Sequence, residues 1–143
     1  MDKSRAQDIN QLFLEYRRTF ESGDAEQVAD FYRFPLHYYG ETGAKAAVER
    51  PEFEDLVRRL LAFYRRLGVA QIVGAVTDTV ELNERSAQVT LNWILLRDGD
   101  GGREEVYSAT TRYLVSEFED ALKIDGLIAV DESRRIRDAL RRR

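Results

Sequence analysis

The sequence predicts an α+β fold in which three N-terminal helices pack on one face of a cone-shaped, strongly curved antiparallel sheet. The first half of the chain places apolar residues at helical spacing, whereas from residue 69 onward Val, Ile, Thr and Leu alternate with a period near two. Helices collected early in a chain and strands collected late are typical of an α+β domain. Long antiparallel strands must twist and curl, so we expect the sheet to enclose a conical pocket.

The composition is that of an ordinary globular protein. The chain has 143 residues, of which 43% are apolar and 34% charged, enough for one sizeable core. The absence of cysteine excludes disulfides and thiolate chemistry, and the single histidine, His37, argues against a metal site that needs several imidazoles. We therefore expect no metal and no cofactor. Because there is neither an apolar leader nor a run of about 18 apolar residues, we expect a cytoplasmic protein with no membrane partner.

Charge is distributed unevenly along the chain. The net charge is −4, but residues 133–143 contain six arginines and one aspartate, which leaves −9 for residues 1–132. We interpret residues 1–132 as a single domain and residues 133–143 as an Arg-rich C-terminal helix or tail. Its cations complement a helix C-terminus, pair with the acidic body or a partner subunit, or give salt-dependent binding to polyanions. Since no aromatic residues are interleaved with the arginines, we expect no nucleic-acid partner.

The first helix is predicted over about residues 4–22, where apolar residues recur three and four positions apart. Gly23 ends this helix and Asp24 caps a second one. Pro35 is expected to close the second helix because it has no N–H to donate, and a short strand follows at residues 36–39. Four residues of the second helix are predicted to face the core: Ala25, Val28, Ala29 and Tyr32.

A third, strongly amphipathic helix is predicted from Pro51 to a stop at Gly68, after a loop with at most a short strand. Four long strands then form an antiparallel meander, with a tight turn at Glu119–Asp120 before the last strand. These strands are predicted over residues 69–82, 86–96, 104–118 and 121–130.

The stretch Tyr16-Arg-Arg-Thr-Phe-Glu-Ser-Gly-Asp24, followed by Val28, Ala29 and Phe31-Tyr32, resembles the end of the first helix in the nuclear transport factor 2-like (NTF2-like) superfamily. The order of elements over about residues 5–131 is also similar. The resemblance implies a cystatin-like fold of the SnoaL-like kind. That superfamily includes cyclases, ketosteroid isomerases and scytalone dehydratase, but also pure binding and dimerisation modules, so function has to be argued from the site.

The resemblance also implies a role for Tyr16. In ketosteroid isomerases a tyrosine eight residues before the Gly-Asp aspartate donates a hydrogen bond to the developing oxyanion, and Tyr16 stands at that spacing. Their general-base position falls on Gly40 here, with Glu41 beside it. The Asp/His pairing of scytalone dehydratase is poorly matched, because His37 is the only histidine.

Asp78 is the most informative carboxylate of the chain. It alternates with five residues that suit a core: Ile72, Gly74, Val76, Val80 and Leu82. Opposite apolar residues of the next strand, its pKa would be raised and suited to general acid or base chemistry. A cross-strand register shifted by one residue would instead place the Asp78 carboxylate in a polar network. A bulge, or a position at the sheet edge, would expose this carboxylate to solvent. We predict catalytic roles for Asp78 and Tyr16.

Four further residues are predicted to contact a ligand: Tyr39, Trp93, Thr110 and Arg112. Trp93 is either a stacking wall for a flat ligand or the largest core residue. Arg112 either binds a carboxylate or forms a salt bridge across a dimer. The opposite face of its strand is expected to pack against another subunit in a homodimer, through Tyr107, Thr111, Tyr113 and Val115.

These patterns predict a conical pocket for a small, largely apolar ligand. As an enzyme, the protein would be a cofactor-independent isomerase, cyclase or dehydratase that acts by proton transfer. The alternative is a non-catalytic small-molecule-binding or dimerisation module. One geometric condition separates the two, because catalysis requires the polar atoms of Asp78 and Tyr16 to converge on one cavity.

Overall fold

The computed structural model describes residues 3–43 and 45–131, which form an α+β domain of three helices and six strands. The α+β class and the three helices are as predicted, whereas the sequence predicted five strands and left a sixth open. The helices are α1 (Lys3–Ser22), α2 (Ala25–Ala29) and α3 (Arg50–Leu67). The strands are β1 (Tyr32–Tyr39), β2 (Lys45–Val48), β3 (Val69–Glu81), β4 (Ser86–Gly99), β5 (Gly102–Phe118) and β6 (Ala121–Ala129). None of these helices is both long and apolar enough to cross a membrane. The predicted Arg-rich segment at residues 133–143 lies outside the described residues, and the domain boundary at residue 132 stays a prediction.

The six strands form one sheet in the order β2-β1-β6-β5-β4-β3. Strands β3 to β6 are the antiparallel meander that the sequence predicts. Strand β1, however, joins β6 in parallel, so the sheet is mixed and not purely antiparallel. Strands β2 and β3 are its two edges, and the sheet is therefore open.

The helices cover one face of the sheet, called here the inner face. Successive strand residues point to opposite faces, so every second residue contributes to this side. The main core between helices and sheet includes side chains that are at most 3% exposed: Ile9, Phe13, Val28, Val89, Leu91, Val115 and Ile124. Full burial of one such side chain stabilises the fold by about 1.5–3 kcal/mol. No helix in the described part of the chain covers the opposite side, called here the outer face.

The second helix is shorter than the sequence predicts. Asp24 caps it as predicted, and its carboxylate accepts two backbone N–H groups of the first turn. The helix ends before Tyr32, which opens β1, and Pro35 lies inside that strand. The prediction that Tyr32 belongs to the helix and that Pro35 closes it is therefore wrong. The N–H of Ile124 donates to the carbonyl of Phe31 at 2.9 Å, so pairing with β6 decides the conformation here, and helical spacing does not encode that pairing.

The tight turn predicted between the last two strands is confirmed. Glu119 and Asp120 have φ angles of 49° and 66° and connect β5 directly to β6. Positive φ at two successive residues gives the turn the twist of the flanking strands. The turn therefore sets the register of the adjoining strand ends, from the Phe118–Ala121 pair to the Val115–Ile124 pair, beyond which an irregularity shifts the pairing.

Helix α3 is tied to α2 by Arg50. The Arg50 Nε donates to Glu54 at 2.8 Å and its Nη2 donates to Asp30 at 2.7 Å. The hydrogen bond to Glu54, and after it the one to Asp30, raises the pKa of Arg50 above its ordinary value. Exposed ion pairs contribute only about 0–1 kcal/mol each, so this contact orients α3 more than it stabilises the fold.

Candidate functional site

A cavity of about 370 Å³ lies between the inner face of the sheet and helices α1 and α3. Its volume is near the lower end of the range for ligand pockets, so it suits a small molecule. Helix α3 supplies one wall through Phe53, Val57 and Tyr64. Leu56 of the same helix also lines the cavity although it is 46% exposed, so it lies at the rim.

The cavity is rich in tyrosine. Six of the seven tyrosines of the chain line it: Tyr16, Tyr32, Tyr38, Tyr64, Tyr107 and Tyr113. The hydroxyl of Thr111 and the indole N–H of Trp93 are its other side-chain polar groups. Among the described residues, every remaining side chain of the lining is aliphatic or phenylalanine. The cavity therefore offers hydrogen bonds but no carboxylate, imidazole, ammonium or guanidinium group.

Tyr16 reaches this cavity from α1 and is held there by a second phenol. Its hydroxyl lies 2.7 Å from the hydroxyl of Tyr32, and both residues are 5% exposed. The Tyr16 ring also packs against Phe20 and Trp93, with centroid separations of 5.6 and 6.0 Å. A buried phenol loses its bonds to water and needs such a partner. The pair therefore gives the apolar cavity a fixed polar point.

Trp93 lines the cavity from β4 and is tethered at its polar end. Its Nε1–H donates to the hydroxyl of Tyr113 at 3.0 Å. Tyr113 in turn packs against Phe13 of α1, with ring centroids 5.0 Å apart. Trp93 lines the cavity and also packs against the core, so both alternatives for this residue stay open and its predicted contact with a ligand stays a prediction.

Asp78 lies on the outer face because β3 carries an extra residue just before it, the second of two such irregularities in this strand. Before that residue Gly74 pairs with an inward-facing residue of β4, and after it Asp78 pairs with Thr90, which faces outward. The extra residue is Thr77, and it reverses the side to which even-numbered residues of β3 point. Among the open alternatives the bulge is therefore the one that occurs, and Asp78 is exposed. Asp78 and Tyr16 do not converge on one cavity, and their catalytic roles stay predictions.

Three of the predicted site residues lie in one row across the outer face. Strand pairing places five residues in that row: Tyr39, Ile128, Arg112, Thr90 and Asp78. Thr110 lies beside the row, and its backbone N–H donates to Asp131 at 2.9 Å. Of the six predicted site residues, the structure therefore places Tyr16 and Trp93 at the cavity and the other four on the opposite side of the sheet.

The sequence-based assignment of the two sides of β5 was wrong. Tyr107, Thr111 and Tyr113 were expected to face another subunit, but they are buried and line the cavity. Period-two alternation separates the two sides of a strand without indicating which side the helices cover. The sequence therefore missed these residues, together with Tyr32 and Tyr64. Tyrosine recurs on the side of each helix and strand that carries the larger residues, and this recurrence could have identified them.

In the part of the chain that the structure describes, charged side chains do not line the cavity. His37 and Glu41 are exposed and do not line it. No group of three His, Asp or Glu side chains comes close enough to hold a metal ion within residues 3–43 and 45–131. The site is thus defined by its aromatic and hydroxyl groups.

Comparison with known proteins identifies relatives of the fold. The family model described as "NTF2-like protein (DUF6841)" matches residues 6–132. No curated protein matches the sequence.

Several solved structures are similar in fold at low sequence identity. The protein Aln2 from a Streptomyces species superposes with a TM-score of 0.74 at 11% identity, covering 100% of this chain and 99% of its own. A domain of unknown function with a cystatin-like fold from Nostoc punctiforme has a TM-score of 0.69 at 15% identity, with coverages of 100% and 89%. An NTF2-like protein of unknown function from Shewanella oneidensis has a TM-score of 0.65 at 17% identity, with coverages of 89% and 99%. At these identities the likeness establishes the fold alone.

The Tyr16–Tyr32 contact predicts a measurable energetic coupling. Tyr16→Phe and Tyr32→Phe are each expected to lower the free energy of unfolding by about 0.5–1.5 kcal/mol, because each removes one hydroxyl of a buried pair. The double variant is expected to lose less than the sum, since the second change removes a group whose partner is already gone. Equilibrium urea denaturation measures all three variants. Tyr39→Phe, on the outer face, is the control, and strictly additive losses would contradict the coupling.

Proposed function

This chain belongs to the NTF2-like family DUF6841, and we propose that it binds a small, neutral, largely apolar molecule in the tyrosine-rich cavity. The observation that carries the proposal is the lining, which combines apolar and aromatic side chains with hydroxyl groups and contains no charged group among the described residues. A charged ligand would leave water for a site with no opposite charge, at a cost of several kcal/mol per ion.

The hydroxyl groups give this binding its orientation. A phenol can donate or accept, so the Tyr16–Tyr32 pair and Thr111 can bond either a carbonyl or a hydroxyl of the ligand. The aromatic walls supply most of the buried apolar area. A neutral ring compound with one or two oxygen atoms therefore matches both parts of the site.

Proton-transfer catalysis is the second candidate, and Tyr16 is the observation that favours it. A phenol inside the cavity, bonded to a second phenol, can donate to a developing oxyanion in an isomerisation, cyclisation or dehydration. Such a reaction also needs a base, and Asp78 is on the other side of the sheet. Binding without catalysis is therefore the function we place first.

The outer face supports a homodimer as the assembled form. It carries half-buried apolar side chains, namely Val73, Ile94, Leu96, Leu114 and Ile128. Asp78 and Arg112 lie in the same row, two strands apart, which corresponds to about 10 Å. A two-fold axis through this face would bring Arg112 of each copy to Asp78 of the other. The expected cytoplasmic location and the absence of a cofactor or nucleic-acid partner stay predictions.

The charge of the ligand should decide affinity. We expect 2-naphthol to bind at least about tenfold more tightly than 2-naphthoate or (2-naphthyl)trimethylammonium, because only the neutral probe enters without an unpaired charge. Isothermal titration calorimetry measures the three affinities. Tighter binding of either ion would contradict the proposal.

A charge at the rim should weaken binding of the neutral probe. Leu56→Glu is expected to reduce 2-naphthol affinity by about fivefold or more, since it places a carboxylate at the mouth of an apolar site. Leu82→Glu is the matched control, because Leu82 is 53% exposed and does not line the cavity. Equal effects of the two changes would argue against binding in this cavity.

Binding should not depend on pH near neutrality. The titratable side chains of the lining are phenols, and phenols in small peptides ionise at about pH 10. We therefore expect the affinity for 2-naphthol to be constant between about pH 6 and 8.5. Calorimetry across this range tests the expectation, and a sigmoidal pH dependence of the affinity would contradict it.

The dimer should depend on the charge at position 112. Arg112→Asp is expected to yield monomers, because it replaces the partner of Asp78 by a like charge. Sedimentation velocity of the native protein and the variant measures this. Arg59→Asp, on the exposed side of α3, is the control and should leave the dimer intact. A monomeric native protein would overturn this part of the proposal.

A further inference from the structure

We propose that Gly74 determines the ligand specificity of the cavity: by having no side chain it lets the indole of Trp93 lie against β3, which shapes the cavity for a flat ring system. This inference rests on the proposed binding function. It adds the class of ligand, a planar and neutral aromatic compound, and names the residue that selects it.

The position of the indole leaves no room for a side chain at residue 74. Gly74 and Trp93 are direct partners across β3 and β4, on the inner face. A Cβ added at Gly74 would lie 2.3 Å from Cζ3 of Trp93, 2.7 Å from Cε3 and 3.0 Å from Cη2. Carbon atoms in contact are normally about 3.5–4.0 Å apart. The six-membered ring of the indole thus occupies the place that an alanine methyl would take.

The indole is held at its other end as well. Nε1 belongs to the five-membered ring, away from the edge that meets Gly74, and its N–H donates to the hydroxyl of Tyr113. Tyr113 is 4% exposed and is itself packed against α1. The indole therefore spans from β3 to a side chain of β5, fixed at both ends. A rigid plane of this kind favours a ligand that is itself flat, because a flat ring can pack against the indole in an offset-stacked arrangement with a large contact area.

A methyl group at residue 74 would disturb both ends. The atoms that a methyl group would meet belong to the outer end of the Trp93 side chain, and β3 is paired with β4 at this point. We therefore expect the indole to move into the cavity and away from Tyr113. The flat wall would be lost and the cavity would shrink. Ligands that depend on stacking should be affected more than ligands that only fill volume.

The chain offers a matched control for the structural effect of such a change. A Cβ at Gly126 would lie 2.7 Å from Cδ1 and 2.9 Å from Cβ of Leu114. This pair is also a cross-strand partnership, between β6 and β5, but it lies on the outer face. Gly126→Ala therefore imposes a similar steric conflict without touching the cavity. The control therefore separates the general strain of an added methyl group from an effect on ligand preference.

The test compares two probes of one skeleton, planar 2-naphthol and its saturated, non-planar analogue 2-decalol. Native protein is expected to prefer 2-naphthol, and Gly74→Ala to reduce that preference by about tenfold, with the loss falling on 2-naphthol. Calorimetry measures the affinities. Because Trp93 is the only tryptophan, the emission spectrum of the ligand-free protein reports its displacement, and we expect a shifted maximum in Gly74→Ala. Gly126→Ala should keep both the preference and the spectrum of the native protein.

The outcomes separate this proposal from the one it rests on. Native protein that binds neither probe would overturn the proposed function and this inference together. Binding of both probes with an unchanged preference and spectrum in Gly74→Ala would overturn this inference alone. If Gly74→Ala does not fold, the double variant Gly74→Ala/Trp93→Leu is expected to fold, because the smaller side chain removes the overlap, and to lack the preference for 2-naphthol. Failure of the second change to restore folding would also overturn it.

Discussion

The extra residue Thr77 in β3 is the constraint that decides which side chains of this strand face the helices. Thr77 has no pairing position opposite it in β4, although its hydroxyl donates to the carbonyl of Thr90 at 3.3 Å, and its insertion reverses the side to which the following residues point. From Ile72 to Val76 the even-numbered residues face the helices, so Ile72 and Gly74 belong to the inner face. From Asp78 onward they face outward. A strand without the bulge would have turned this carboxylate to the inner face opposite Val89, a fully buried core residue, at the cost of its desolvation.

The cavity itself is uncharged. Hydroxyl groups and one indole are the polar side chains that the described residues place around the ligand space. Such groups can be buried when they bond to one another, as Tyr16 does with Tyr32 and Trp93 with Tyr113. These contacts hold the rings in fixed orientations. The cavity therefore combines a rigid aromatic shape with a few fixed hydrogen-bonding points.

The sheet separates two kinds of chemistry by its two sides. The inner face carries large aromatic residues under the helices, and the outer face carries opposite charges among half-buried aliphatic side chains. Residues one position apart on β5, such as Thr111 and Arg112, therefore serve different surfaces. A ligand bound on the inner side and a second copy bound on the outer side would share the same strands, so Trp93 and Asp78 are linked through one β-ladder.

The sequence by itself determined the fold class, the long meander, the Asp24 cap and the Glu119–Asp120 turn, because these follow from periodicity and local turn chemistry. It also pointed to Tyr16 and Trp93, which do line the cavity. Only the tertiary structure decided the conformation of Tyr32, which parallel pairing with β6 draws into a strand, and the side of the sheet that the helices cover. It alone decided the direction of Asp78, since a bulge arises from the pairing of two strands. Alternation along one strand defines two faces, but the packing of distant elements decides which of them becomes the interior.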